Sequence, residues 1–234
     1  MGRRLYGVAA MLLGVASLTL GHQLVSAWLL PGRQIFLWVT YVALVVGGVL
    51  TQLSPKWARC GAITIGVDYL LFALTFVPMI FAAPLVYYNW GDVFYPLGVV
   101  AAAMIAAGYN PRIALVIFGL ANISYAIEQV EFLARTNSLV PSWMPFGATF
   151  WDILTALGFA AAGIAFLLNY KALLAARLLT AMFLIFVATI WIPALIAAPS
   201  TLSNWSEGIE TLLLGASAWV FADYLKGLTF SRRS

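Results

Sequence analysis

Few side chains in this sequence could do chemistry, and most of them lie inside long apolar runs. Among 234 residues there are one His, one Cys and eight Asp or Glu. An ionisable side chain inside an apolar helix is costly to bury and is by default a functional-site hypothesis. Six residues are therefore candidates for binding a ligand or handling a proton: His22, Gln23, Asp68, Glu128, Glu131 and Asp152.

Glu128 is the candidate with the fewest structural explanations, because no cation on its own predicted helix is within reach. A carboxylate in such surroundings needs a partner from another helix or a partly wet pocket. We expect Glu128 to line an outward-facing pocket, with His22 or Gln23 among its nearest polar neighbours. In one interpretation the charge of Glu128 has a function. In the other, a polar partner satisfies the carboxylate and its role is structural.

The other candidates also have structural alternatives. Glu131 and Arg135 are four residues apart, a spacing at which they can form an interfacial ion pair. Asp152 could be an acid in the first turn of a helix, where it favours the positive dipole end. A neighbouring helix could satisfy Asp68, and His22 could form a hydrogen bond between helices.

Standard catalytic and metal-binding signatures are missing from the sequence. One His and one Cys cannot supply a bis-histidine haem, a Cys-His nucleophile pair or a structural zinc site. The lone Cys60 cannot form a disulfide within the chain. We predict no catalytic residue, no metal site and no cofactor held by the chain itself, although a quinone or lipid could bind.

The composition predicts a membrane protein made of helices. Hydrophobic residues make up 64% of the chain and charged residues 9%, whereas soluble domains carry about 25% charged residues. Spanning a bilayer takes about 20 helical residues. Eight apolar runs separated by turn-forming residues predict eight transmembrane helices: 5–30, 34–53, 59–82, 92–109, 112–134, 150–168, 173–197 and 207–224.

The second half of the chain repeats the first at an offset of 115 residues. The segment 76–84, FVPMIFAAP, matches 191–199, WIPALIAAP, and Asn-Trp at 89–90 matches Asn-Trp at 204–205. Such a repeat is the signature of a duplicated structural unit. An even number of helices per unit predicts two four-helix repeats with the same orientation in the membrane. The predicted units are residues 1–111 and 112–234.

The cations predict the orientation. Ten of the twelve Lys and Arg residues fall on one side of the predicted bundle, and only Arg33 and Arg135 fall on the other. The positive-inside rule then places both termini in the cytoplasm. Membrane anchoring accounts for the net charge of +4, so we expect no nucleic-acid partner.

Aromatic and proline residues collect towards the predicted outer side. Pro78 and Pro193 occupy equivalent points inside two predicted helices, where each would kink the helix, and duplicated kinks suggest a duplicated cavity. The aromatic side chains form either an interfacial belt or a stacking wall for an apolar ring ligand such as a quinone. They are Tyr88, Trp90, Trp143, Trp151 and Trp205.

The turn 138–145, SLVPSWMP, and the helix that follows it resemble the DoxX-like family of small bacterial membrane proteins. The match continues through Phe150-Trp151 and through 154–156, LTA. The resemblance covers the second predicted unit well, and it reaches the first unit only through the internal repeat. The resemblance implies a four-helix unit in a bacterial inner membrane. It also implies a loose association with redox systems, such as subunits of quinol oxidase and thiosulfate:quinone oxidoreductase. Similar sequences often have His where this one has Ile127-Glu128-Gln129.

Two functions of different class follow. The first is a non-catalytic integral subunit that anchors or completes a quinone-linked membrane redox complex, or a homo-oligomer. The second is a binder or carrier of a small apolar or weakly acidic molecule, with Glu128 in its pocket. An enzyme acting alone is a third and weaker alternative.

Overall fold

The structure, a computed structural model, describes residues 1–20 and 33–231, with side chains placed for all of these except 33, 34 and 229–231. His22 and Gln23 lie outside the described residues. Regular structure in the described part is helical, in this order: α1 Gly2–Leu20, α2 Arg33–Gln52, α3 Pro55–Ala82, α4 Tyr87–Ala107, α5 Pro111–Glu131, α6 Leu133–Leu139, α7 Ala148–Leu167, α8 Ala172–Phe186, a π-helical turn Val187–Trp191, α9 Ile192–Ala197 and α10 Leu202–Ser231.

Prolines and their neighbours set several helix starts. Pro55 and Pro111 each stand in the first turn of a helix, where the missing amide hydrogen costs nothing. The side chain of Asn110 caps α5 by accepting a hydrogen bond from the amide of Ile113, at 3.3 Å. α3 therefore begins at Pro55, four residues before the predicted run. One predicted run, 112–134, is broken at Phe132, which separates α5 from the short α6.

Within the described residues, six segments are long and apolar enough to cross a membrane: Gly2–Leu20, Ile35–Gln52, Pro55–Ala82, Pro111–Glu131, Ala148–Leu167 and Ala172–Ala197. Their outward faces carry large apolar side chains. On α2, for example, Val39, Val42, Val46 and Val49 are all exposed. Apolar side chains on the outside of a helical bundle suit a lipid surrounding. This is the architecture of a multi-pass helical membrane protein.

Two long helices outside this set of six, α4 and α10, lie at the centre of the bundle. No residue from 91 to 107 or from 204 to 222 is exposed. The two helices contact each other, and the hydroxyl of Tyr95 donates a hydrogen bond to Glu210 Oε2 at 2.9 Å. Because protein rather than lipid surrounds α4 and α10, their polar residues are kept out of the hydrocarbon.

The beginning of α1 and the last third of α10 lie at the same end of the bundle. The amide of Gly2 donates to Asp223 Oδ2 at 2.8 Å, so a carboxylate stands at the positive end of α1. A Cβ on Gly2 would lie 2.6 Å from backbone atoms of Trp219 and Val220. The close approach of the two backbones therefore requires glycine here.

One turn occurs twice, 115 residues apart. The side-chain amide of Asn89 donates to the carbonyl oxygens of Met79 and Ala83, and that of Asn204 donates to those of Ala194 and Ala198. A tryptophan follows each asparagine, and its indole donates to a proline carbonyl six residues earlier: Trp90 to Pro84 at 2.9 Å and Trp205 to Pro199 at 2.8 Å. The matched bonds give the two turns the same local structure.

Candidate functional site

Two large cavities lie beside α8, in the second half of the chain. A cavity of about 480 Å³ is bounded by α5, α6, α7, α8, the π-helical turn and α10. A second cavity of about 360 Å³ lies between α7 and α8. Leu178 and Met182 line both cavities, so we treat the two as one lateral cleft. Exposed Leu154, Leu174 and Ile185 stand along its walls, and its surface is mainly apolar.

The cleft exists because α7 and α8 do not close against each other. In the first half, α2 packs along α3 at Gly47 and Gly61. A Cβ on Gly61 would lie 2.7 Å from the amide nitrogen of Thr51. The positions 115 residues later are Ala162 and Ala176, and there α7 and α8 touch over a shorter stretch. Each of these replacements adds a methyl group to the helix surface, which favours a wider spacing of the two helices than glycine does.

Asp152 supplies the main polar group of the cleft. It stands in the second turn of α7, is 4% exposed and lines the 480 Å³ cavity. Its Oδ2 has no hydrogen-bond partner among the described residues, and the Thr136 hydroxyl lies near the carboxylate. A buried polar atom without a partner costs about 1–3 kcal/mol, so this oxygen is the unsatisfied acceptor of the cleft among the described residues.

Gln129 and Thr155 form a second polar contact in the cleft wall. Gln129 Nε2 lies 3.0 Å from Thr155 Oγ1, and the same hydroxyl lies 3.1 Å from Gln129 Oε1. The Thr155 hydroxyl is also within 2.9 Å of the Trp151 carbonyl oxygen. These groups therefore satisfy one another, whereas Asp152 Oδ2 has no hydrogen-bond partner among the described residues.

The π-helical turn forms part of the cleft wall. Thr189, Ile190 and Trp191 line the larger cavity, and Pro193 follows immediately in α9. Proline lacks an amide hydrogen and disturbs the preceding turn, and π-helical turns occur frequently at functional sites. Pro78, the matching proline of the first half, lies inside the unbroken helix α3. The two prolines therefore act on their helices differently.

The predicted aromatic residues have several different roles. Trp151 lines the cleft and donates to the Pro145 carbonyl oxygen at 2.7 Å. Trp90 and Trp205 make the same bond in their own turns, so a proline followed by tryptophan six residues later is a signal that occurs three times. Tyr88 and Trp143 are exposed at 48% and 69%. These positions suit a membrane interface.

Glu128 lies in a separate cluster of charged groups. It is half-buried on α5 and within electrostatic range of Asp92 and Arg135. Arg135 Nη2 lies 3.9 Å from Glu207 Oε1, so this cation stands among carboxylates from α4, α5 and α10. The ion pair of Arg135 at this distance is with Glu207 and not with Glu131, which is exposed at the end of α5. The predicted proximity of Glu128 to His22 or Gln23 falls outside the described residues.

Asp68 is buried in the first half, away from the lateral cleft. It is 8% exposed on α3 and lines a small cavity of about 50 Å³. The structure therefore separates the predicted site residues into three places: Asp152 in the cleft, Glu128 in the charged cluster and Asp68 in the small cavity. No group of three or more His, Cys, Asp or Glu suited to a metal ion occurs in the described part of the chain.

Comparison with known proteins does not assign the chain to a family: no family model, no curated protein and no solved structure matches it.

Proposed function

We propose that the chain crosses the membrane eight times, as two four-helix repeats of the same orientation with both termini in the cytoplasm. The six apolar segments supply six crossings, and the central helices α4 and α10 supply the other two. The matched turns at Asn89 and Asn204 support the duplication. The contact between Gly2 and Asp223, which joins the first and last helices at one end, supports an even number of crossings.

A cysteine-labelling experiment tests this topology. Cys60 is exposed near the start of α3, on the side that the cation distribution assigns to the cytoplasm. We expect an impermeant maleimide to label it only after the inner face of the membrane has been opened. Labelling in intact cells would refute the orientation.

We further propose that the protein binds, and moves between membrane and site, a small apolar molecule with a polar head, held in the lateral cleft. The observation that carries this proposal is Asp152, a buried carboxylate with an unpartnered oxygen in a mainly apolar cavity of about 480 Å³. Cavities of about 300–1,000 Å³ with few polar groups are typical of small-molecule sites. The proposal moves the ligand from the predicted surroundings of Glu128 to Asp152.

The polar groups of the cleft indicate which head group a ligand should carry. Asp152 Oδ2 accepts hydrogen bonds, whereas the amide of Gln129 and the hydroxyl of Thr155 are already paired. A head that donates a hydrogen bond, such as an alcohol, an amine or a quinol, therefore complements the site. An anionic carboxylate would face a second carboxylate and would be rejected. The exposed apolar walls provide a path for an alkyl or isoprenoid tail from the bilayer.

The alternative is a subunit of a larger quinone-linked complex, as the DoxX-like resemblance implies. One observation favours it: the cleft between α7 and α8 faces outward and could receive a partner helix. Purification in mild detergent separates the two possibilities. Stoichiometric partner subunits would favour the complex, and isolation of the chain alone would favour the binder.

Photolabelling tests the binding site directly. The probe is a hexadecanol carrying a diazirine, added to the purified protein in nanodiscs, with the labelled residues mapped by mass spectrometry. We expect labelling in α7 and α8 that unlabelled hexadecanol or hexadecylamine displaces and hexadecanoic acid does not. Asp152→Leu should weaken binding about tenfold, the equivalent of one lost hydrogen bond of about 1.4 kcal/mol.

The matched control is Glu207→Gln, which removes an acid at the same end of the protein but outside the cleft. This variant should bind the probe as the unmodified protein does. Equal labelling of all lipid-facing helices, or displacement by the acid as readily as by the alcohol, would overturn the proposal.

A further inference from the structure

A groove lies between α8 and the last third of α10, at the end of the bundle where α1 begins. Its volume is about 370 Å³. Asp223, which lines the groove, also accepts the hydrogen bond of the Gly2 amide and so fixes the groove at this end. The side chains that matter below are Arg177, Ala181 and Leu184 from α8, and Trp219, Asp223 and Lys226 from α10.

The groove is cationic where it reaches the end of the bundle. Arg177 and Lys226 are exposed there, one on each helix. Asp223 is the acid among the lining residues, and its Oδ2 accepts hydrogen bonds from the N-terminal ammonium of Met1 and from the Gly2 amide, both at 2.8 Å. Because the ammonium offsets the charge of Asp223, the groove keeps the positive charge of both cations.

This positive charge does not depend on residues outside the described part of the chain. The segment 232–234 carries two more arginines and no Asp or Glu. Residues 21–32 follow Leu20, at the opposite end of α1 from Gly2. A helix of 19 residues spans about 27 Å from its first residue to its last, so that segment is attached far from the groove.

The groove becomes apolar towards the middle of the bundle. On α8, Leu184 follows Arg177 by seven residues, and on α10, Trp219 precedes Lys226 by seven residues. Seven helical residues rise about 10 Å. Both helices therefore present a cation at the end of the bundle and a large apolar side chain about 10 Å deeper. A phospholipid has the same order of groups, with a phosphate at the membrane surface and acyl chains below it.

We propose that this groove binds one anionic phospholipid, with its phosphate held by Arg177 and Lys226 and an acyl chain along Leu184 and Trp219. Arginine and lysine are the side chains that bind phosphate oxygens most often. Basic pockets between transmembrane helices on the cytoplasmic side are typical sites for anionic lipid heads. The cation distribution assigns this end of the bundle to the cytoplasm.

The lipid groove and the lateral cleft are different sites. Ala181 lines both the groove and the cavity of about 480 Å³, so the two sites meet at one residue of α8. Their polar groups differ, because the cleft has the carboxylate of Asp152 and the groove has two cations. The cleft suits a head that donates a hydrogen bond, whereas the groove suits an anion.

Native mass spectrometry of the purified protein tests the lipid. The protein is held in dodecyl maltoside, an uncharged detergent, and dioleoyl phosphatidylglycerol or dioleoyl phosphatidylcholine is titrated in. A cation beside an anionic lipid contributes about 1 kcal/mol, the equivalent of about fivefold in affinity. We expect one phosphatidylglycerol to bind about 25-fold more tightly than phosphatidylcholine, since two cations act on it.

Charge-removing variants locate the site. Arg177→Gln and Lys226→Gln should each weaken phosphatidylglycerol binding about fivefold, and the double variant should bind the two lipids alike. The matched control is the double variant Lys56→Gln with Arg59→Gln, which removes the same two residue types from the start of α3, on the same predicted side of the membrane. It should bind phosphatidylglycerol as the unmodified protein does. All four side chains are exposed, and thermal unfolding without lipid checks that each variant is folded.

Three results would overturn the proposal. The first is equal affinity for the two lipids. The second is an equal loss of affinity in the two double variants, which would mean that general surface charge attracts the lipid. The third is displacement of phosphatidylglycerol by an equal concentration of glycerol 3-phosphate, because the groove would then hold a soluble phosphate. Asp152→Leu should leave phosphatidylglycerol binding unchanged, so that failure of the cleft proposal and failure of this one are distinguishable.

Discussion

The two halves of the molecule share their turns but differ in how their outer helices pack. In the first half, α2 and α3 meet at Gly47 and Gly61, and the cavity that they line together with α1 and α10 has a volume of only about 50 Å³. In the second half, the helices that lie 115 residues further along the sequence, α7 and α8, separate and leave a large apolar cleft. Turns are fixed by local hydrogen bonds, whereas helix contacts depend on single side-chain volumes. Two segments with the same turns can therefore differ in their cavities through very few substitutions.

The two halves also carry their buried acidic residues at different positions. The cleft residue Asp152 stands where the first half has Leu37, and Asp68 stands where the second half has Phe183, both at the 115-residue offset. Leu37 and Phe183 are buried apolar residues. Each half thus has one buried carboxylate that lines a cavity, and the two carboxylates lie on different helices.

The largest effect is expected at the glycine contact of the closed half. Gly61→Leu would drive a side chain into the backbone of α2, because even a Cβ there would lie 2.7 Å from the Thr51 amide nitrogen. Overpacking of this kind costs about 1–3 kcal/mol or more. We expect a strongly lowered unfolding temperature. The matched variant is Gly158→Leu on α7, where a Cβ meets only Met182 Sδ at 3.6 Å, and it should remain close to the unmodified protein.

Filling the open half should abolish binding without unfolding the protein. Gly158 lines the cleft beside Met182, and Gly158→Phe places a ring in the space that the ligand tail would occupy. We expect the photolabelling of α7 and α8 to disappear while the unfolding temperature stays within a few degrees. Gly158→Ala serves as the control, since a methyl group leaves most of the cleft open. Unchanged labelling of Gly158→Phe would place the ligand elsewhere.

An intermediate effect is expected at Asp152, where binding and stability should change in opposite directions. Asp152→Leu gives the second half the residue type found at Leu37 and removes a buried oxygen without a partner. The gain should be about 1–3 kcal/mol, the cost of such a group. Chemical unfolding in the absence of ligand measures it. A loss of stability would mean that Asp152 has a structural partner, and the argument for a ligand would fail.

The smallest effect is expected at the outer ion pair. Arg135 and Glu207 are 3.9 Å apart, with side chains 68% and 40% exposed. Exposed pairs contribute about 0–1 kcal/mol, so Glu207→Gln should change the unfolding temperature little. A large loss would show that the cluster with Asp92 and Glu128 holds α6 in place over the cleft.

Much of the fold could be predicted from the sequence, because apolar runs and proline turns mark helices that form locally. The break at Phe132 was missed since neither Gly nor Pro marks it. The cleft was missed as well, although a signal was present: Gly47 and Gly61 align with Ala162 and Ala176 at the repeat offset. Reading that signal requires knowing that the two helices face each other, which is tertiary information.

The candidate site was predicted only in part, for the same reason. Asp152 was identified, but its burial and its free oxygen depend on α5, α6 and α8 as well as α7. Glu128 was expected to have no cation within reach on its own helix, and Arg135 comes within electrostatic range of it from a different helix, α6, which begins after the break at Phe132. The membership in a redox complex and the DoxX-like resemblance stay predictions.

The difference between the halves can be measured directly by the distance between spin labels. In a Cys60→Ser background, one pair is placed at Val46 and Ile63 on α2 and α3, and the matched pair at Ala161 and Leu178 on α7 and α8, all four exposed. We predict a longer and broader distance distribution for the second pair, which narrows when hexadecanol is added, while the first pair does not respond. Equal distributions for the two pairs, with no response to the alcohol in either, would contradict the account of one closed and one open half.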